Sequence, residues 1–122
     1  MQRHIVLVVS SDDERLQARH DLVRRAGHMP LPASTINRAL FLMSKVRPSL
    51  VLTDSKLPDG YADALLSELR AMAAMQHVVV VVLGVLPSDN HARVVQDLRA
   101  HVRHADDDTE IGGLLKEHLS AA

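Results

Sequence analysis

The sequence predicts an α/β fold: a parallel sheet of five strands with helices packed on both faces. Three observations lead there. Short β-branched and aliphatic runs recur along the chain, each followed by a longer segment with apolar residues at helical spacing. The runs from Ile5 to Val9 and from Val78 to Leu83 are apolar throughout, as expected of strands covered on both faces. The connections are too long for hairpins and suit the helical crossovers that parallel pairing requires.

The first strand, Ile5 to Val9, leads into Ser11-Asp12-Asp13-Glu14, which has the S-x-x-E form of a capping box with Ser11 as cap. Leu16, Leu22, Val23 and Ala26 then form one apolar stripe of a helix that Gly27 stops. Met29-Pro30-Leu31-Pro32-Ala33 is a poor central strand. Its two prolines remove donors on the same side, which an edge strand tolerates if that side faces solvent. Ser34 is expected to cap a helix running to about Val46, with Ile36, Leu40, Phe41 and Met43 pointing inward and Pro48 ending it.

Leu50 to Thr53 is a third strand with Asp54 at its C-terminal end. The turn Leu57-Pro58-Asp59-Gly60 precedes a helix over Ala62 to Ala74, carrying Leu65, Leu66, Leu69 and Met72. After the fourth strand, Ser88 opens a helix holding Val94, Val95 and Leu98. His101 to His104 forms a short last strand. Asp108 or Thr109 caps a final helix with Ile111, Leu114, Leu115 and Leu119 inward. Because the proline-marked second strand belongs at an edge, the expected order is 2-1-3-4-5, the flavodoxin-like, doubly wound (βα)5 arrangement.

The 122 residues suit one domain, 1–122, with 47% hydrophobic residues to build its core. A net charge of -1, with cations interspersed among acids, gives no field for nucleic acid or an anionic membrane. Phe41 and Tyr61 are the only aromatics among Phe, Trp and Tyr, too few for a base-stacking surface. There is no Cys, no apolar run long enough to span a bilayer and no secretion signal, so a cytoplasmic protein is expected.

In a sheet of this order the crevice lies at the carboxyl ends of the strands, near the switch point between the first and third. It would gather Ser10 to Asp13, Asp54 to Lys56, Gly84 to Pro87 and His104 to Asp107. At these residues the chain resembles the receiver domain of two-component (CheY-like) response regulators, and the resemblance covers nearly all of it. The segment PSLVLTDSKLPDG, Pro48 to Gly60, is similar to that family's strand-Asp-x-x-Met/Leu-Pro loop. ADALLSELR resembles its third helix, and RRAG, Arg24 to Gly27, the end of its first.

The resemblance implies phosphorylation of a strand-end Asp from a histidine kinase or small phosphodonor. Acids after the first strand help hold Mg²⁺, and a Ser or Thr ending the fourth strand and a Lys ending the fifth hold phosphoryl oxygens. Asp54 matches the phosphoacceptor. The other positions depart. Ser10 and Ser11 stand where the acid pair belongs, Gly84 where the hydroxyl belongs, and His104 or Ala105 where the Lys belongs. The fifth-strand aromatic is replaced by His101, Val102 or Arg103. Serines in place of two carboxylates remove several kcal/mol of attraction for a divalent ion, since unit charges about 5 Å apart at an effective dielectric near 20 interact by roughly 3 kcal/mol.

The expected chain is therefore an atypical receiver, a pseudo-receiver that works by protein–protein interaction with weak or no Mg²⁺-dependent phosphorylation. The alternative is a working phosphoacceptor modified on Asp54, with Asp12, Asp13 and Asp54 as candidate metal ligands. Asp12 and Asp13 have a plainer role as acids in the first turn of a helix. No enzymatic activity is expected beyond self-phosphorylation at Asp54. Partners implied by the resemblance are a histidine kinase, an output domain or another receiver, and the face from Ser88 to Leu119 would serve them or a homodimer. The histidines lack zinc-site spacing, and Asp106-Asp107-Asp108 lacks the Gly and closing Glu of a calcium loop. No glycine-rich nucleotide loop or G-x-S-x-G hydrolase elbow occurs, and Lys56 stands where a haloacid-dehalogenase phosphatase would want a second Asp.

Overall fold

A computed structural model describes residues 3–103 and 108–119, with side chains given for 3–103 and 110–119. Strands β1 (Ile5–Val9), β2 (Met29–Ala33), β3 (Leu50–Asp54), β6 (Val79–Leu83) and β7 (His101–Arg103) form one five-stranded sheet in the order β2-β1-β3-β6-β7. Every pairing in it is parallel. Helices α1 (Asp13–Arg25), α2 (Ile36–Met43), α3 (Ala62–Ala71), α4 (Asp89–Asp97) and α5 (Asp108–Leu119) make the crossovers. The expected fold and strand order are both observed.

Strand alternation sorts the core into two layers. Leu7, Val9, Val51, Val80 and Val82 meet Ile36, Ala39, Met43, Leu65, Leu66, Leu69 and Val95, beneath α2, α3 and α4. Val6, Val8, Leu50, Leu52, Val81 and Leu83 meet Val23, Ile111, Leu114, Leu115 and Leu119, beneath α1 and α5. At the edge, Met29 N donates inward to His4 O, so the alternation turns the Pro30 and Pro32 positions outward. The prolines thus sit where no ladder bond is lost.

Several boundaries shift. The cap of α1 is Asp12, which accepts from Arg15 N, and not Ser11. Thr35 rather than Ser34 caps α2, which ends at Met43, and Lys45 and Val46 close its last turn through bonds to Leu42 O. Phe41 does not point inward; it is 51% exposed, and Ala39 takes the buried position. Helix α3 stops at Ala71 and a short 3-10 turn, Ala73–Met75, buries Met75. Ser88 caps α4 as expected. A small hairpin, β4 (Lys56–Leu57) with β5 (Gly60–Tyr61), lies within the segment expected only to turn.

Two cross-links were not anticipated. Asp59 of the hairpin accepts from Ile36 N and Asn37 N at 2.8 and 3.0 Å, capping α2 from a distant part of the chain. Desolvation acts to raise its pKa, but these backbone donors outweigh it and hold the carboxyl below its ordinary value. Arg70 donates to Leu98 O at 2.9 Å, Met75 O at 3.0 Å and Val78 O at 2.8 Å, tying the ends of α3 and α4 to the start of β6. No helix among the described residues is long and apolar enough to cross a membrane.

Candidate functional site

Asp54 is the last residue of β3 and follows Leu50 and Leu52 on the face turned toward α1 and α5. Register places Val8 beside Leu52, so Ser10, two residues further on the same face, arrives beside Asp54. The alternation that makes the sheet apolar therefore delivers a hydroxyl and a carboxylate to one spot. Both are buried, with Asp54 5% and Ser10 0% exposed.

The carboxylate is occupied on both oxygens. Ser10 Oγ donates to Oδ2 at 2.6 Å, and Arg19 Nη1 donates to Oδ1 at 2.6 Å. Arg19 is itself buried, 3% exposed, near the middle of α1. Arg15, one turn earlier and half-exposed, brings Nη2 to 3.5 Å from Oδ2 and 3.9 Å from Asp12 Oδ2. Asp54 is thus held by one short, buried, charge-assisted bond, one hydroxyl and one more distant guanidinium.

The expected metal ligands do not converge. Asp12 is engaged as the α1 cap, and the Arg15 backbone N–H, its leading influence, keeps its carboxyl below the ordinary value. Asp13 lies exposed in the first turn of α1, and Ser11 is exposed as well. Among the described residues no group of three or more His, Asp or Glu could hold a metal ion. The donor set does not fit Mg²⁺. Asp54 is the one buried carboxylate among the described residues, and Arg19 already faces it. A divalent ion placed about 5 Å from that guanidinium would meet on the order of 6 kcal/mol of repulsion at an effective dielectric near 20.

Gly84 follows β6 and has φ +119, a conformation that side chains rarely adopt. A Cβ there would approach Ser55 Oγ to 2.9 Å, so the Ser55 hydroxyl borders the space a side chain at 84 would enter. His104 and Ala105 lie outside the described residues, as do Asp106 and Asp107 and the side chains of Asp108 and Thr109. His101 is exposed, its ring 4.9 Å from that of His118 on α5. Lys56 is exposed on the hairpin.

Arg15 and Arg19 are the residues that sequence reasoning passed over. A signal existed: Arg19 stands three residues after Leu16 and four before Val23, inside the apolar stripe of α1. An arginine on a core-facing stripe requires a buried acceptor, and Asp54 is the acid that the sheet turns toward that helix.

No protein-family model matches the sequence, and no curated protein matches it. Solved structures match closely in shape. The chemotaxis response regulator CheY4 of Vibrio cholerae superposes with a TM-score of 0.86 at 16% identity, over 97% of this chain and 100% of that one. A CheY-like receiver domain protein from Methanospirillum hungatei gives a TM-score of 0.86 at 18% identity, covering 98% and 95%. The Mn²⁺-bound form of response regulator Rcp1 gives 0.81 at 14%, covering 98% and 97%. The fold is that of a CheY-like receiver domain.

Proposed function

We propose that this chain is a receiver-like module of a two-component or phosphorelay system that acts through protein–protein contacts, with Asp54 held by arginine in place of a divalent cation. One observation carries the reading: both oxygens of the Asp54 carboxylate are already bonded, to the buried Arg19 and to Ser10. A phosphoryl acceptor needs a free oxygen and a cation that can bridge it to the incoming group. Here the cation is covalently part of α1 and its position is fixed by packing. The carboxylate thereby becomes an internal tie between β3 and α1.

Signalling then falls to the surface. The face from Ser88 to Leu119 is the proposed contact for a histidine kinase, an output domain, another receiver or a second copy. An open groove of about 630 Å³ on that face is lined by Leu86, Ala92, Gln96, Ala100 and Val102. Val85, 71% exposed, stands at its rim. The alternative, phosphorylation of Asp54 by a histidine kinase, draws support from Arg15. That side chain is half-exposed and 3.5 Å from Oδ2, so it can move aside.

Amide spectra recorded with Mg²⁺, with Mg²⁺ plus beryllofluoride, and with acetyl phosphate test the proposal. The expected spectra match that of the untreated protein. Shifts spreading from Asp54 to Gly84, together with a kinase-dependent shift on phosphate-affinity gels that Asp54→Asn abolishes, would establish the alternative.

A further inference from the structure

The chain carries no Asp or Glu from residue 22 through residue 53, while Arg24, Arg25, Arg38, Lys45 and Arg47 all fall within that stretch. Helix α2 lies in it and uses Ile36, Ala39 and Met43 to cover the core. Its other face presents Asn37, Arg38 and Phe41, and the closing turn after it adds Ser44 and Lys45, all exposed. Phe41, the one Phe of the chain, is 51% exposed at the centre of that face. The Arg38 guanidinium lies 5.1 Å and the Lys45 ammonium 5.7 Å from its ring centroid.

Neither cation makes an ion pair among the described residues, and Arg47 makes none either. Asp59, the acid that caps the start of α2, is committed to the backbone N–H groups of Ile36 and Asn37. An aromatic ring this exposed, framed by cations that lack carboxylates, complements an apolar side chain flanked by acids. The neighbouring edge of the sheet offers no competing mode, because Pro30 and Pro32 remove the outward donors of β2 that an added strand would need.

We propose that the outer face of α2, centred on Phe41 with Arg38 and Lys45 over its ring, docks an acidic amphipathic helix of a partner protein. A lipid surface fits less well, since recognition of anionic headgroups takes clusters of about four to eight Lys or Arg. A nucleic acid fits less well too, since it wants several stacking rings along a basic track. Docking here is independent of the Asp54 pocket and of the face from Ser88 to Leu119.

The test titrates the isotope-labelled full chain with a synthetic helical peptide carrying a Leu stripe flanked by Glu, and with its counterpart carrying Lys. The expected result is saturable amide shifts at Asn37, Arg38, Phe41, Ser44 and Lys45 with the Glu peptide only. Phe41→Ser and Arg38→Glu, both at exposed positions, should each weaken binding tenfold or more, while Phe41→Tyr retains it. Absence of binding, equal binding of the Lys peptide, or shifts confined to residues 84–103 would overturn the proposal. So would tighter binding, through these same residues, of phosphatidylcholine–phosphatidylserine vesicles, a single-stranded oligonucleotide or a second copy of the chain. These outcomes leave the reading of Asp54 untouched, because that rests on metal and phosphodonor responses.

Discussion

Consider Asp54→Ala. The substitution leaves the Arg19 guanidinium in place, 3% exposed, with its one carboxylate partner gone. At a charge separation of about 4 Å and an effective dielectric near 20, the lost attraction is about 4 kcal/mol. Removing one member of a buried pair typically destabilises by about 3–5 kcal/mol, which agrees. In a domain of this size each kcal/mol shifts the melting temperature by roughly 3–5 °C, so a fall of about 10–20 °C is expected.

The sign is diagnostic. In a pocket built from clustered carboxylates, deleting one relieves like-charge repulsion and stabilises the fold. Urea titration followed by far-UV circular dichroism measures the change, and it suits a chain with no Trp. Arg19→Met in the same background closes a double-mutant cycle, with an expected coupling of about 2 kcal/mol or more. Arg19→Met with Asp54→Leu should recover much of the stability, because an apolar pair can replace a buried ion pair at little loss. Unchanged or increased stability in Asp54→Ala would refute the central role given to Arg19.

Three further outcomes are expected. Arg70→Ala should destabilise by roughly 3 kcal/mol, and Arg70→Lys should recover little of it, since only a planar guanidinium reaches Leu98 O, Met75 O and Val78 O together; urea midpoints decide this. The His28 pKa is lowered by burial first and by His4 second, so the unfolded chain takes up its proton before the folded one does. Stability should therefore fall as pH drops below about 6.5 toward the folded value, with His118 adding the same sign through its own burial; thermal melts from pH 7.5 to 5 should show this, and His28→Gln should flatten the slope. Asp59 acts in the same sense but only at more acidic pH, because its carboxyl is held below the ordinary value and its contribution is lost as pH falls through the carboxylate range. Gly84→Thr should destabilise by roughly 1–3 kcal/mol even in a Ser55→Ala background, because the cost lies in the backbone at φ +119; equal stability to wild type by thermal melting would contradict it.

Much of the architecture was legible from local pattern. Apolar runs and helical stripes located the strands and helices, and Pro30 and Pro32 marked the edge. Helix ends were legible only to within a few residues, since Ser11 and Ser34 compete with Asp12 and Thr35 as caps and the winner depends on where the preceding strand releases the chain. Phe41 was misplaced because apolarity alone gave no reason to put it on the outer face of α2. The Arg70 clamp and the Asp59 cap were invisible because both join segments far apart in sequence.

The sequence by itself determined the layered α/β architecture, the strand order and the presence of an aspartate at the mouth of the sheet, since each follows from residue spacing and proline placement. Only the tertiary structure decided what that aspartate meets. Strand alternation turned Asp54 toward α1, and the packing of α1 on the sheet brought Arg19 across to it, a pairing between residues 35 positions apart of which the stripe of α1 shows only one member. Burying a carboxylate demands a partner, and the fold supplied a guanidinium from its own helix.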